Sequence, residues 1–151
     1  MSGTATPEEQ EELAKALFNG VWALLEKDDR TVDEDDRMVH MAHASCHHWI
    51  EVGTAVHRVR GEWQCSRVYA TLERGEPALH HARRALELCT ANGIGDFDLA
   101  FCHEAMARAS AVDGNHLAAA GWRRQAEQSA AAITDPKDRQ TVLADLETIP
   151  T

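Results

Sequence analysis

Helix-boundary signals recur at short intervals along this chain, with no strand pattern between them, and this restricts the fold to stacked helices. Thr6 and Pro7 open a first helix over about residues 7–27, with Glu8 and Glu9 at its positive dipole end. Thr31 and Glu34 read as a capping box at the head of a second helix, which ends near Gly53; Asp33, Asp35 and Asp36 add negative charge to its first turn. A third helix covers about 54–72. The fourth opens around Glu76 and Pro77 and stops before the helix-ending pair Asn92-Gly93. The fifth covers about 96–112, Asp113-Gly114-Asn115 turns the chain, and the sixth covers about 116–133. Asp135 caps a seventh, Pro136 enters it, and it ends near Ile149-Pro150. No alternating run rich in Val, Ile or Thr is present. The expected fold is all-α, with about seven helices in antiparallel hairpins.

A chain of 151 residues suits one domain, and we expect a single helical domain over 1–151 with residues 1–6 flexible. Hydrophobic residues make up 44% and charged residues 26%, which a folded core allows and a disordered chain does not. The net charge of −10 argues against nucleic acid as a partner, because that binding needs a basic footprint. The charge is uneven. Residues 1–36 hold 11 acids and 3 bases, a balance of −8, and the rest hold 14 acids and 12 bases, a balance of −2. The start of the chain has no basic region followed by an apolar run, and no apolar stretch is long enough to span a bilayer. A cytoplasmic protein with no membrane partner is therefore expected. In such a reducing compartment Cys46, Cys65, Cys89 and Cys102 read as free core thiols, each on the apolar stripe of its helix.

Helix pairs with short turns call for a search for repeats. Tyr69 and Leu72 stand late in one helix, and Ala78, Ala82, Ala85 and Leu86 follow in the next. Ala107, Gly114, Ala119 and Ala126 repeat the pattern 41 residues on, as Ala78 to Ala119 and Ala85 to Ala126. Over about residues 55–133 this resembles the tetratricopeptide repeat, a period of about 34, with residues 93–98 as an insertion. The early Trp and Gly of that signature are not in place. The resemblance implies a superhelical stack of helix hairpins, with the first two helices a degenerate pair and the seventh a terminal cap. It implies binding of a protein or peptide in a groove lined by the first helix of each pair, and it carries over no catalytic assignment. Small proteins of this kind are common in bacteria.

If the third and fifth helices are the inner ones, Arg60, Trp63 and Arg67 face Phe101, Glu104 and Arg108. Arginine forks bind carboxylates bidentately and aromatics supply apolar anchorage, so the partner expected is a protein or an acidic peptide. The competing reading is that Arg67 and Arg108 pair internally with Glu62 and Glu104. Self-association is left open.

The second helix carries His40, His43 and His47 on the face opposite its apolar side, with Asp36 and Glu51. His43 and His47 are four apart, a spacing that lets two imidazoles reach one metal ion. Further ligands would come from His81 on the fourth helix, Glu62 on the third, and His103 or Glu104 on the fifth. A transition metal such as zinc, copper or iron is the expected cofactor on this reading, which makes the chain a small metalloprotein or metalloenzyme. The plain alternative is a solvated polar face. No glycine-rich phosphate loop, HExxH motif or nucleophile elbow is present, so the catalytic residues are unassigned.

Overall fold

The computed structural model describes residues 4–151, and no strand occurs among them. Seven helices are found among the described residues: α1 (Pro7–Leu25), α2 (Val32–Val52), α3 (Ala55–Thr71), α4 (Gly75–Asn92), α5 (Asp96–Val112), α6 (His116–Ala131) and α7 (Pro136–Leu146). The flexibility expected of 1–6 falls at 1–3 outside the described residues; Thr6 already caps α1, accepting from the Glu9 amide at 3.1 Å.

The helix boundaries follow from local chemistry. Thr31 accepts from the Glu34 amide at 3.1 Å while Glu34 accepts from the Thr31 amide at 3.0 Å, the reciprocal capping box expected of this pair. Gly93, at φ 63°, ends α4 in the left-handed region, and the Ile94 amide reaches back to Cys89 O at 3.0 Å. Three ends fall short of expectation, α6 stopping at Ala131, α1 at Leu25 and α7 at Leu146. Arginines meet the open carbonyls at the last two. Arg30 Nη1 donates to Leu24 O and Lys27 O, Arg108 Nη2 to Asp145 O, and Arg123 Nη1 to Leu146 O.

Consecutive helices pack as neighbours, and α1–α2, α3–α4 and α5–α6 form the closest pairs. Connections of a few residues (53–54, 72–74, 93–95, 113–115) leave such helices no room but to fold back on one another. Small residues set the spacing. Ala78, Ala82 and Ala85 on α4, Ala107 on α5 and Ala126 on α6 have no exposed surface, so the helix backbones approach closely. At Gly75, the first residue of α4, an added Cβ would stand 2.5 Å from Asp113 Cα. The α3–α4 hairpin therefore meets the end of α5 backbone to backbone.

Beyond the pairs, α3 packs on α1 and on α5, and α7 packs on α5 and α6. The first helices of the three pairs thus share one side of the stack, and α7 lies against the last of them. No described helix is long and apolar enough to cross a membrane.

Candidate functional site

Helices α1, α3, α5 and α7 surround a cavity of about 720 Å³. Each contributes residues at helical spacing: Phe18 and Trp22 from α1, Arg60, Trp63 and Arg67 from α3, Phe97 and Phe101 from α5, Thr141, Ala144, Asp145 and Thr148 around α7. The aromatic rings form one connected wall. Phe18 meets Trp22 at 6.5 Å between centroids, Trp22 meets Trp63 at 5.6 Å, Trp63 meets Phe101 at 5.6 Å, and Phe101 meets Phe97 at 4.9 Å. These separations suit edge-on and tilted aromatic contacts.

Charged groups at the cavity are paired. Arg60 forks onto Asp98, Nε to Oδ1 at 2.8 Å and Nη2 to Oδ2 at 3.2 Å. Arg67 Nη2 donates to Glu104 Oε2 at 3.2 Å and to Asp145. Glu104, without exposed surface, also takes Arg108 Nε at 2.8 Å. Burial works against the Arg67 charge, but Glu104 and Asp145 outweigh it and hold its pKa above the ordinary value.

Arg60, Trp63, Arg67 and Phe101, expected as groove residues, line this cavity. Glu104 and Arg108 do not. Glu104 lies beneath it as the shared carboxylate of both arginines, and Arg108 lines a separate depression of about 430 Å³ with Thr71, Glu73 and Pro150. The competing internal pairing is present for Glu104 but not for Glu62, which bonds His81 instead. Phe18, Trp22, Phe97 and the α7 residues are not among the expected groove residues. Phe18 and Trp22 stand four apart, as do Phe97 and Phe101, and that spacing is the one signal in the sequence that points to them.

A second polar cluster lies between α2, α3 and α4. His43 Nε2 and the Tyr69 hydroxyl are hydrogen-bonded at 2.8 Å, and the Cys65 thiol stands 4.0 Å from His43 Nδ1. The Cys46 thiol donates to Glu62 Oε1 at 3.8 Å, and His81 Nδ1–H donates to Glu62 Oε2 at 2.8 Å. The His43 and His81 rings are 5.2 Å apart. Burial, then the neighbouring His81, lowers the His43 pKa, and the adjoining Cys46 and burial hold the Cys65 thiol well above its ordinary value.

The remaining ligand candidates are dispersed. His40, His47 and Glu51 are exposed on α2. His103 bonds Ser129 Oγ at 2.7 Å and stacks on Trp122, and Glu104 is held by its two arginines. Among the described residues, no three His, Cys, Asp or Glu side chains are already gathered as a metal shell. All four thiols are buried and unbridged, and Cys89 and Cys102 bring their sulfurs to 3.5 Å.

Comparison with protein-family models, with curated proteins and with solved structures finds no match for this chain in any of the three.

Proposed function

We propose that this protein is a helical binding module that takes an apolar, aromatic-bearing peptide segment of a protein partner into the cavity between α1, α3, α5 and α7. The observation that carries the reading is the continuous wall of five rings, from Phe18 to Phe97, around a space of about 720 Å³. A concave, mostly apolar site of a few hundred cubic ångströms with a few fixed polar groups is the usual form of a binding pocket. Rigid aromatic walls favour burial of another aromatic or branched side chain, the kind of anchor that dominates interface energetics. Its place on the first helices of the three pairs is where a tetratricopeptide-like stack would carry its groove.

The acidic side of the expected partner has less support. A ligand carboxylate would have to displace Asp98 from Arg60, or Glu104 and Asp145 from Arg67. Those pairs suit hydrogen bonding to a neutral peptide backbone better than capture of a free anion.

Selection from a random peptide library, followed by titration under tryptophan fluorescence, tests this. Trp22 and Trp63 line the site, so a seated peptide must change their emission. The expected result is enrichment of peptides with aromatic or branched anchors and few acids, whose binding is lost in Trp63→Ala. Enrichment of acidic peptides indifferent to Trp63, or of none at all, would overturn the reading.

A further inference from the structure

We propose that His43, Cys46, Glu62 and Cys65 form a four-ligand site for a divalent transition metal of the zinc class between α2 and α3. Each helix supplies two ligands three residues apart, His43 and Cys46 from one, Glu62 and Cys65 from the other. That spacing puts both members of each pair on one face, and the two helices are packed neighbours.

Two of the four cross-helix separations are 4.0 Å from Cys65 Sγ to His43 Nδ1 and 3.8 Å from Cys46 Sγ to Glu62 Oε1. Tetrahedral zinc with bonds of about 2.0–2.3 Å places its ligands roughly 3.3–3.8 Å from one another. Both separations therefore lie close to the edges of such a shell, and metal uptake draws the four side chains inward round one point. Gly61 makes space for one sulfur, since a Cβ there would stand 3.1 Å from Cys46 Sγ.

The outer partners point the same way. His43 Nε2 lies 2.8 Å from the Tyr69 hydroxyl oxygen, and in the tautomer that donates this bond Nδ1 keeps its lone pair on the side of Cys65, 4.0 Å away. Glu62 Oε2 is occupied by His81 Nδ1–H, which leaves Oε1 toward Cys46. Metal-binding imidazoles and carboxylates are commonly oriented by such second hydrogen bonds. Two sulfurs, one imidazole and one carboxylate select zinc-class ions over magnesium or calcium. Binding replaces two S–H bonds by two metal–sulfur bonds and releases two protons. His43 is exposed along one side, so an ion has a way in.

The test is titration of cobalt(II) into tag-free, reduced full-length protein, with zinc as competitor. Expected are one equivalent bound, the visible bands of tetrahedral cobalt, and a thiolate-to-cobalt charge-transfer band that zinc abolishes. Cys46→Ser and Cys65→Ser should each remove the charge-transfer intensity of one sulfur, and Tyr69→Phe should weaken binding about tenfold. His40→Ala/His47→Ala, which changes only the exposed stripe, should bind as wild type. Zinc should also slow alkylation of Cys46 and Cys65 in the wild-type protein, a readout that needs no variant to fold. Absence of the charge-transfer band in folded wild-type protein, or binding lost with His40 and His47 and kept without the cysteines, would overturn the proposal.

Discussion

Arg67 on α3 and Glu104 on α5 meet at 3.2 Å, and Glu104 has no exposed surface. A carboxylate in that position depends on its guanidinium partners, and Arg108, one turn along α5, is the other. The same Arg67 forms part of the cavity lining, so the polar edge of the cavity is built from a structural ion cluster.

Removing both arginines leaves Glu104 buried and uncompensated. Arg67→Ala/Arg108→Ala should cost about 3–5 kcal/mol, which for a chain of this size lowers Tm by roughly 10 °C. Thermal melts of the double variant beside wild type measure it. A change of less than about 1 kcal/mol would mean that water reaches Glu104 and that the cluster contributes little.

Ala144 is exposed on α7 and borders the cavity. Ala144→Trp should place an indole in the space that a ligand would occupy. The expectation is at least a tenfold loss of affinity, about 1.4 kcal/mol, for any peptide selected by the wild type, with the melting temperature little changed. Undiminished binding would put the ligand elsewhere on the molecule.

Gly75 touches Asp113 so closely that a methyl group has no room. Gly75→Ala should cost about 1–3 kcal/mol through displacement of backbone, although alanine is the better helix former. Urea unfolding midpoints give the comparison. A stabilised variant would show that helix propensity outweighs the contact.

Glu34 shows how a helix cap responds to pH. The Lys27 ammonium at 2.6 Å, then the Thr31 amide, lower its pKa from the ordinary 4.5 to about 2. A depressed carboxylate stabilises the fold fully above its unfolded value, and that contribution drains away as pH falls from 4.5 toward 2. NMR titration of the Glu34 carboxyl should give a midpoint near 2, and Glu34→Gln should flatten the stability profile in that window. A midpoint at the ordinary value would show that the cap bonds do not persist in solution.

Particular residues mark how far the sequence can be read. Thr31 with Glu34, and Asn92 with Gly93, act only on chain within a turn of themselves, so the helices they bound are legible from the residues alone. Trp63 and Phe101 are legible as groove residues because each helix carries its own stripe. Trp22 is not, because nothing in α1 announces that it will lie 5.6 Å from Trp63. Cys46 is the sharper case. Its helix angle assigns it to the apolar flank, and there it is buried, yet the facing side chain proves to be the Glu62 carboxylate.

Seven helices, most of their ends and the stripes that α3 and α5 turn inward are written in the order of the residues, because capping, periodicity and propensity are local energies. Packing in three dimensions was needed to bring α7 to the cavity beside α1, α3 and α5, to gather Arg67, Arg108 and Asp145 around Glu104, and to set Cys65 against His43 and Cys46 against Glu62. Those outcomes depend on how helices with equally apolar stripes cross and slide. Alanine volume and a single contact such as Gly75 on Asp113 settle that between residues far apart in the chain.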